Sequence, residues 1–500
     1  MLKPLLLSSL ALALAACGGQ AEKTVVPKTD ANGDLRYGGL VFKPCALGGD
    51  RGQGVEAQCA TLQAPENHAA PNGRKIALAV AMIPAKSQTQ SDPVVIIAGG
   101  PGQSILESYP MLHPALNDVR RSRNILLVDA RGTGGSHPLK CKELTSLDED
   151  VEGSDDPAVT RARVERCRDR LAKTSDLRFY ATGDHVQDLD LLRRTIGVDQ
   201  LNLAGISYGT RVALQYAVRY PAHTRTLTLD SIAPNTLVLG QEHARNLDAT
   251  IKQQFARCVA DTACKRNIGD PTALLAKVRA TLQAGGLAPV RYRDPTSGAW
   301  REEVPRFGHL GGLLRFYAYR PESASMLPLI LHDAAEGRYE TLLSQSRALS
   351  GDVGDSIALG MHLSVTCTED FEVQTRPEDD TTIMGNDIIE FIQAQCAVWP
   401  KGKRAADFRK PLAGKVPVLA ISGEFDPVTP PRYGDEVVKT LPNGRHLVLP
   451  GQGHSVLTTG CMPKLFAQFV ETADAKALDA KCLQRLKPTP PFAGNYGWEP

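Results

Sequence analysis

Gly205-Ile206-Ser207-Tyr208-Gly209 lies between the apolar run Leu201-Asn202-Leu203-Ala204 and the segment Thr210-Arg211-Val212-Ala213-Leu214-Gln215-Tyr216-Ala217, whose apolar residues recur at helical spacing. A serine between two glycines at a strand-to-helix junction has the pattern of a nucleophile elbow. Such a turn lifts the Ser207 hydroxyl clear of its neighbours, and glycines two positions away on either side let strand and helix approach closely. Tyr208 matters there through its backbone N–H, a donor for a developing oxyanion, while its side chain reads as packing.

Upstream, Ile76–Ile83, Val94–Ala98 and Ile125–Val128 read as strands. The second runs into Gly99-Gly100-Pro101-Gly102-Gln103-Ser104, the third into Asp129-Ala130-Arg131-Gly132-Thr133-Gly134-Gly135-Ser136. Short apolar strands alternating with helices predict a mostly parallel sheet wrapped on both faces, with sites at the carboxyl ends of the strands. The loop Gly99–Ser104 matches neither phosphate-cradle pattern, which disfavours nucleotide binding. It can offer an unhindered N–H, so Gly100 is assigned as the second oxyanion donor, with Gly99 as the alternate. After a further strand at Thr226–Leu229 the pattern turns helical, with helices expected near Glu242–Val259, Pro271–Ala284, Ser323–Ala335 and Asn386–Ala397. An inserted helical layer of this kind would roof the site, exclude water and select the substrate.

The sheet pattern resumes at Val416, and Asp426 follows that strand's end in Gly423-Glu424-Phe425-Asp426-Pro427. A last strand, Arg445–Leu449, leads into Pro450-Gly451-Gln452-Gly453-His454-Ser455. A serine hydroxyl is a poor nucleophile until an imidazole takes its proton, and the imidazole needs a carboxylate to fix its tautomer. Ser207, Asp426 and His454 are the expected triad, in the chain order of α/β-hydrolases. Asp230 and Asp435 are the competing acids, and His446, inside a strand pattern, is the competing base.

Met1-Leu2-Lys3 followed by the apolar Leu5–Ala16 reads as an export signal, and Leu14-Ala15-Ala16-Cys17-Gly18 looks like a bacterial lipobox in which Cys17 is acylated. Gly18 is not the aspartate that retains lipoproteins at an inner membrane, which favours the outer membrane in a cell that has two. The expected organisation is a signal peptide over 1–16, a lipidated tether over 17–40, a first core part over 41–234, a helical cap over 235–411 and a second core part over 412–500. Besides Cys17 there are ten cysteines: Cys45, Cys59, Cys141, Cys167, Cys258, Cys264, Cys367, Cys396, Cys461 and Cys482. Export would oxidise them, and pairing in chain order is the simplest of many connectivities. Their spacing, without a C-x-x-C pair, argues against zinc, and no metal or cofactor is expected. A net charge of +2 on 500 residues points to no nucleic-acid partner.

Gly99-Gly100-Pro101-Gly102, Asp129-x-Arg131-Gly132-Thr133-Gly134-x-Ser136, Gly205-Ile206-Ser207-Tyr208-Gly209, Gly423-x-x-Asp426-x-x-Thr429-Pro430 and Gly453-His454 together resemble the prolyl aminopeptidase family of α/β-hydrolases. The likeness is nearer to its secreted tripeptidyl aminopeptidase branch and runs from about Cys45 to Cys482. It implies an α/β-hydrolase fold, the triad named above, and release of one or a few residues from the free N-terminus of peptide substrates. Proline iminopeptidases usually carry His before Gly-Gly-Pro-Gly, whereas this chain has Ala98, a departure that argues against strict proline specificity. Aminopeptidase action needs a carboxylate for the substrate ammonium, for which Glu369 is the first candidate and Glu424 the second. The alternatives are a carboxylesterase using the same triad and a surface lipoprotein that kept the fold without catalysis; the presence of all three triad residues weighs against the latter.

Overall fold

The computed structural model describes residues 25–31, 33–48, 54–87, 90, 92–145, 156–377 and 381–493. Cys17 and the expected signal peptide lie outside the described residues.

Val94–Ile97 and Ile125–Val128 are short, wholly apolar and buried along their full length. Alternate residues of these strands enter different cores: Val95, Ile97, Leu126 and Val128 pack on one face of the sheet, and Val94, Ile96, Ile125 and Leu127 on the other. A strand buried on both faces needs helices on both, which is why these strands read as continuous apolar runs. With Leu201–Ile206, Thr224–Asp230, Val418–Gly423 and Gly444–Leu449 they form six parallel neighbours. An antiparallel series, Lys28–Thr29, Leu35–Tyr37, Leu40–Leu47, Val55–Pro65 and Lys75–Ile83, continues the sheet beyond Ile125–Val128, making eleven strands. Sheet pairing thus begins inside the expected tether. Tyr37 is fully buried there and Gly39 N donates to Thr195 O at 2.7 Å, so this segment belongs to the core.

Between Thr224–Asp230 and Val418–Gly423 come the helices His243–Ala260, Thr262–Asn267, Pro271–Ala284, Phe307–Tyr317, Pro321–Ala335, Glu340–Ser356, Leu359–Glu369 and Asp387–Cys396. Many share a core of their own, built on Leu247, Phe255, Val278, Leu314, Leu331 and Leu342. A small hairpin, Val290–Arg293 with Trp300–Glu303, interrupts the helical run. Five disulfides follow chain order: Cys45–Cys59, Cys141–Cys167, Cys258–Cys264, Cys367–Cys396 and Cys461–Cys482. The fourth ties Leu359–Glu369 to Asp387–Cys396, two of the helices nearest the site. Among the described residues no helix is long and apolar enough to cross a membrane.

Candidate active site

Ser207 has φ 55° and ψ −123°, a conformation that a non-glycine residue adopts only when its surroundings impose it. Its N–H donates to Asp230 O at 2.8 Å, and its carbonyl accepts from Thr210 N at 2.9 Å and the Thr210 hydroxyl at 2.6 Å. A Cβ on Gly205 would lie 2.6 Å from Thr210 N, and one on Gly209 would lie 2.7 Å from Ala98 O. Both glycines are therefore required by the crossing of strand and helix. Tyr208 opens the helix Tyr208–Arg219, so its N–H precedes the first intrahelical bond and is available to a ligand. Gly100 lines the same cavity as Ser207 and Tyr208. Gly99 is packed against the nucleophile, since a Cβ there would meet Ser207 Cβ at 3.0 Å.

Asp426 is buried, and four donors converge on its carboxylate. Oδ1 accepts from Val428 N at 2.9 Å and Thr429 N at 2.8 Å; Oδ2 accepts from the Thr429 hydroxyl at 3.0 Å and from His454 Nδ1 at 2.8 Å. Burial opposes its charge, but His454 and these donors hold its pKa below the usual carboxylate range. Burial likewise opposes the imidazolium of His454, yet Asp426 and then Asp230 outweigh it and raise that ring's pKa. Thr429 and Tyr319, which line the cavity with Ser207, both touch His454: the Thr429 hydroxyl lies 3.3 Å from Nδ1, and the Tyr319 ring stands edge-on at 5.0 Å.

The competing residues have other tasks. Asp230 accepts from Val456 N at 2.9 Å and Leu457 N at 2.9 Å, pinning the chain just after His454, and burial pushes its carboxyl up to about 6. His446 Nδ1 lies 2.8 Å from Asp435 and its Nε2 lies 2.9 Å from the Ser422 hydroxyl, but Ser422 is fully buried. None of these three lines the cavity around Ser207.

The inserted segment braces three loops of the site. Ala358 N donates to Gly102 O at 2.9 Å beside the glycine loop, Thr250 and Asn246 donate to Asp426 O at 3.3 Å and Val428 O at 2.9 Å, and His454 N donates to Tyr319 O at 2.8 Å. Sequence reasoning missed a second brace. Asp129 accepts from the Ser104 hydroxyl at 2.7 Å and from Gly135 N at 2.9 Å, while the wholly buried Arg131 grips Asp188 at 2.7 and 2.6 Å. The motif Asp129-x-Arg131-Gly132 thus fixes the neighbourhood of the glycine loop.

Both candidate ammonium sites need correction. Glu369 is 2 % exposed and outside the cavity lining; its carboxylate accepts from Thr182 N at 2.7 Å and lies 3.5 Å from the buried Arg211. Burial pushes it up to about 7 against the pull of Arg211. Its carboxylate faces Thr182 and Arg211 inside the protein, not the cavity. Glu424 is exposed, accepts from Gly451 N at 2.7 Å and also stands off the cavity.

The cavity measures about 730 Å³, within the range of sites that enclose a small ligand. The core contributes Gly100, Ser207 and Tyr208, and the inserted layer contributes His243, Arg315, Tyr319, His362, Met384, Asp387, Ile388, Glu390 and Phe391 among others.

A family profile described as alpha/beta hydrolase fold matches residues 92–460. The chain is 24% identical over 470 residues to "Serine protease Hip1" of Mycobacterium tuberculosis, covering 85% of this chain and 87% of that protein. It is 23% identical over 488 residues to "Tripeptidyl aminopeptidase" of Streptomyces coelicolor, covering 90% and 87%. A third relative, "Carboxylesterase B" of Mycobacterium tuberculosis, is 26% identical over 431 residues, covering 77% and 78%. On the profile match across most of its length, and with these relatives, the chain belongs to the α/β-hydrolase fold family, as a serine hydrolase.

Proposed function

We propose that the protein is a serine exopeptidase that releases one or a few residues from the free N-terminus of short peptides through an acyl-enzyme on Ser207. The observation that carries this reading is a serine held in a strained turn on the wall of a roofed cavity, two of whose other lining residues, Thr429 and Tyr319, touch an imidazole bonded to a buried carboxylate. With Nδ1 committed to Asp426, His454 keeps Nε2 free to take the Ser207 proton and to return it to the leaving amine. The N–H groups of Tyr208 and Gly100 then stabilise the oxyanion. Two relatives that match over most of their length, named a serine protease and a tripeptidyl aminopeptidase, support peptide bonds as the target.

A cavity closed over by helices favours chain ends over mid-chain segments. Its carboxylates are Asp387 and Glu390, on the helix Asp387–Cys396, and the substrate ammonium is assigned to that wall in place of Glu369 and Glu424. The test compares peptide 4-nitroanilides bearing free and acetylated N-termini. Acetylation should abolish turnover, and an unchanged rate would remove the exopeptidase reading. A carboxylesterase is the second reading, favoured by the third relative and by the apolar wall of Leu237, Leu239, Met384, Ile388 and Ile392. It predicts simple esters as the better substrates at matched acyl groups. Five disulfides support an oxidising compartment, and the proposed setting is an exported lipoprotein anchored through Cys17.

A further inference from the structure

Arg315, on the helix Phe307–Tyr317, lines the Ser207 cavity and is half-buried. It forms no ion pair with any carboxylate among the described residues, whereas the buried Arg131 and Arg211 each have a buried acid as partner. Its neighbours are Tyr319, which lines the same cavity, and the Phe316 ring at 5.6 Å.

The other basic groups of the cavity carry no competing charge. Burial, with Arg315 adding to it, lowers His243 to about 3; burial lowers His362 to about 4, and the carbonyl of Pro101 lies 3.3 Å from its Nδ1. Both rings are neutral at physiological pH. His243 also has a buried Nε2 with no hydrogen-bond partner among the described residues. A lone guanidinium beside an unused imidazole nitrogen, in the cavity that holds the nucleophile, is a ready-made receiver for a carboxylate. The carboxylates of the lining, Asp387 and Glu390, lie on another helix, and Glu390 is 2.7 Å from Arg376.

We propose that Arg315 is a specificity-determining residue that binds a carboxylate of the substrate, with His243 as a second contact. The chain would therefore prefer peptides that bring a negative charge into the cavity. Two sources share this chemistry: an acidic side chain near the scissile bond, and the free C-terminal carboxylate of a very short peptide. The substrate class rests on the peptidase reading above, whereas the charge preference does not.

The experiment measures kcat/KM for wild type, R315Q and R315K on three matched sets. The first is tripeptide 4-nitroanilides with Glu or Gln placed in turn at each position. The second is tetrapeptides ending in a carboxylate or an amide. The third is 4-nitrophenyl esters of glutaric acid, with the far carboxyl free or methylated. Wild type should favour the charged member of at least one set by about ten- to a hundred-fold, as a charge-assisted hydrogen bond provides. R315Q should erase that ratio, read within each matched pair whatever its effect on the neutral member, and R315K should retain part of it. The set that shows the ratio identifies the source of the carboxylate.

Absence of the ratio in wild type, or its survival in R315Q, would overturn the proposal. Hydrolysis of esters but of no peptide would defeat the peptidase reading and leave the ester set to decide Arg315. Inhibition of the unmodified protein by glutarate and by glutaramide gives a check that requires no folded variant, and equal inhibition by the two also overturns it.

Discussion

Asp426→Asn is the substitution whose outcome the structure determines most tightly. The two oxygens of Asp426 face different donors: Oδ1 meets the backbone N–H groups of Val428 and Thr429, and Oδ2 meets the Thr429 hydroxyl and His454 Nδ1. An asparagine must place its single oxygen at one of these positions. Turning the NH2 toward two buried backbone donors would leave both unsatisfied, at a cost of about 2–6 kcal/mol. The oxygen therefore stays with the backbone and the NH2 faces His454. Nδ1 must then accept, the ring proton moves to Nε2, and the base that should take the Ser207 proton is lost. A tautomer trapped in this way lowers kcat about 10⁴-fold, or about 5.5 kcal/mol of transition-state stabilisation, with KM little changed because Asp426 does not line the cavity. The assay is steady-state hydrolysis of a peptide 4-nitroanilide alongside a melting curve that establishes folding. Activity within about ten-fold of wild type, in a folded protein, would refute the assignment of the acid. A larger loss in Asp230→Asn than in Asp426→Asn would show that the two carboxylates had been given each other's roles.

The acid limb of kcat/KM should lie above the ordinary histidine pKa of 6.5, because Asp426 and Asp230 together outweigh the burial of His454. The same pairing stabilises the fold fully below the ordinary pKa and is lost as pH rises through the raised one, so activity appears over the window in which this stability fades. Asp230→Asn, followed by a pH–rate profile, should move the limb downward; an unmoved limb would show that Asp230 does not act on the ring. Gly209→Ala places a methyl against the carbonyls of Ile97 and Ala98, where a cost of about 3 kcal/mol should appear as a lowered Tm. A Tm equal to that of wild type would show that the elbow can open. Cys17→Ser should shift the protein from the membrane fraction to the soluble one, read by fractionation and radiolabelled palmitate, and retention with the membrane would remove the lipid anchor.

The elements that carry the site were legible because burial on both faces leaves a strong mark. Val94–Ile97 and Ile125–Val128 are unbroken apolar runs ending in glycine-rich loops, and the boundaries read from them agree with the structure to within a residue. The hairpin Val290–Arg293 with Trp300–Glu303 was missed because seven of its eight residues are not buried; Val290-Arg291-Tyr292-Arg293 alternates over only four residues, and Trp300-Arg301-Glu302-Glu303 does not alternate. Glu369 misled for a different reason. An acid in Cys367-Thr368-Glu369-Asp370 looks available, and nothing local announces that Arg211, on the elbow helix far back in the chain, is buried against it. Arg315 was silent for the converse reason. Its significance is the absence of a partner, and that can be recognised only when every neighbouring chain segment is in place.

Ser422, His446 and Asp435 show what residue types and distances leave undecided. The imidazole lies 2.8 Å from a carboxylate and 2.9 Å from a serine hydroxyl, so as a set of contacts this trio is as well made as a catalytic relay. Its polarity is reversed with respect to access: Ser422, on the strand Val418–Gly423, is fully buried, while Asp435 is 72% exposed. A substrate could reach the acid and never the hydroxyl. In the other trio the acid is buried, at 0%, the imidazole is 7% exposed, and the serine stands on the cavity wall in a conformation that its own hydrogen bonds cannot relax. Strand position explains the contrast. Ser207 and Asp426 lie just past the carboxyl ends of parallel strands, where the polypeptide leaves the sheet and a cavity can form, whereas Ser422 lies within its strand. Exchanging the hydroxyl for hydrogen should accordingly separate the two: Ser207→Ala should abolish both hydrolysis and labelling by a fluorophosphonate, and Ser422→Ala should change neither beyond its effect on folding. Labelling that persists in Ser207→Ala would place the nucleophile elsewhere.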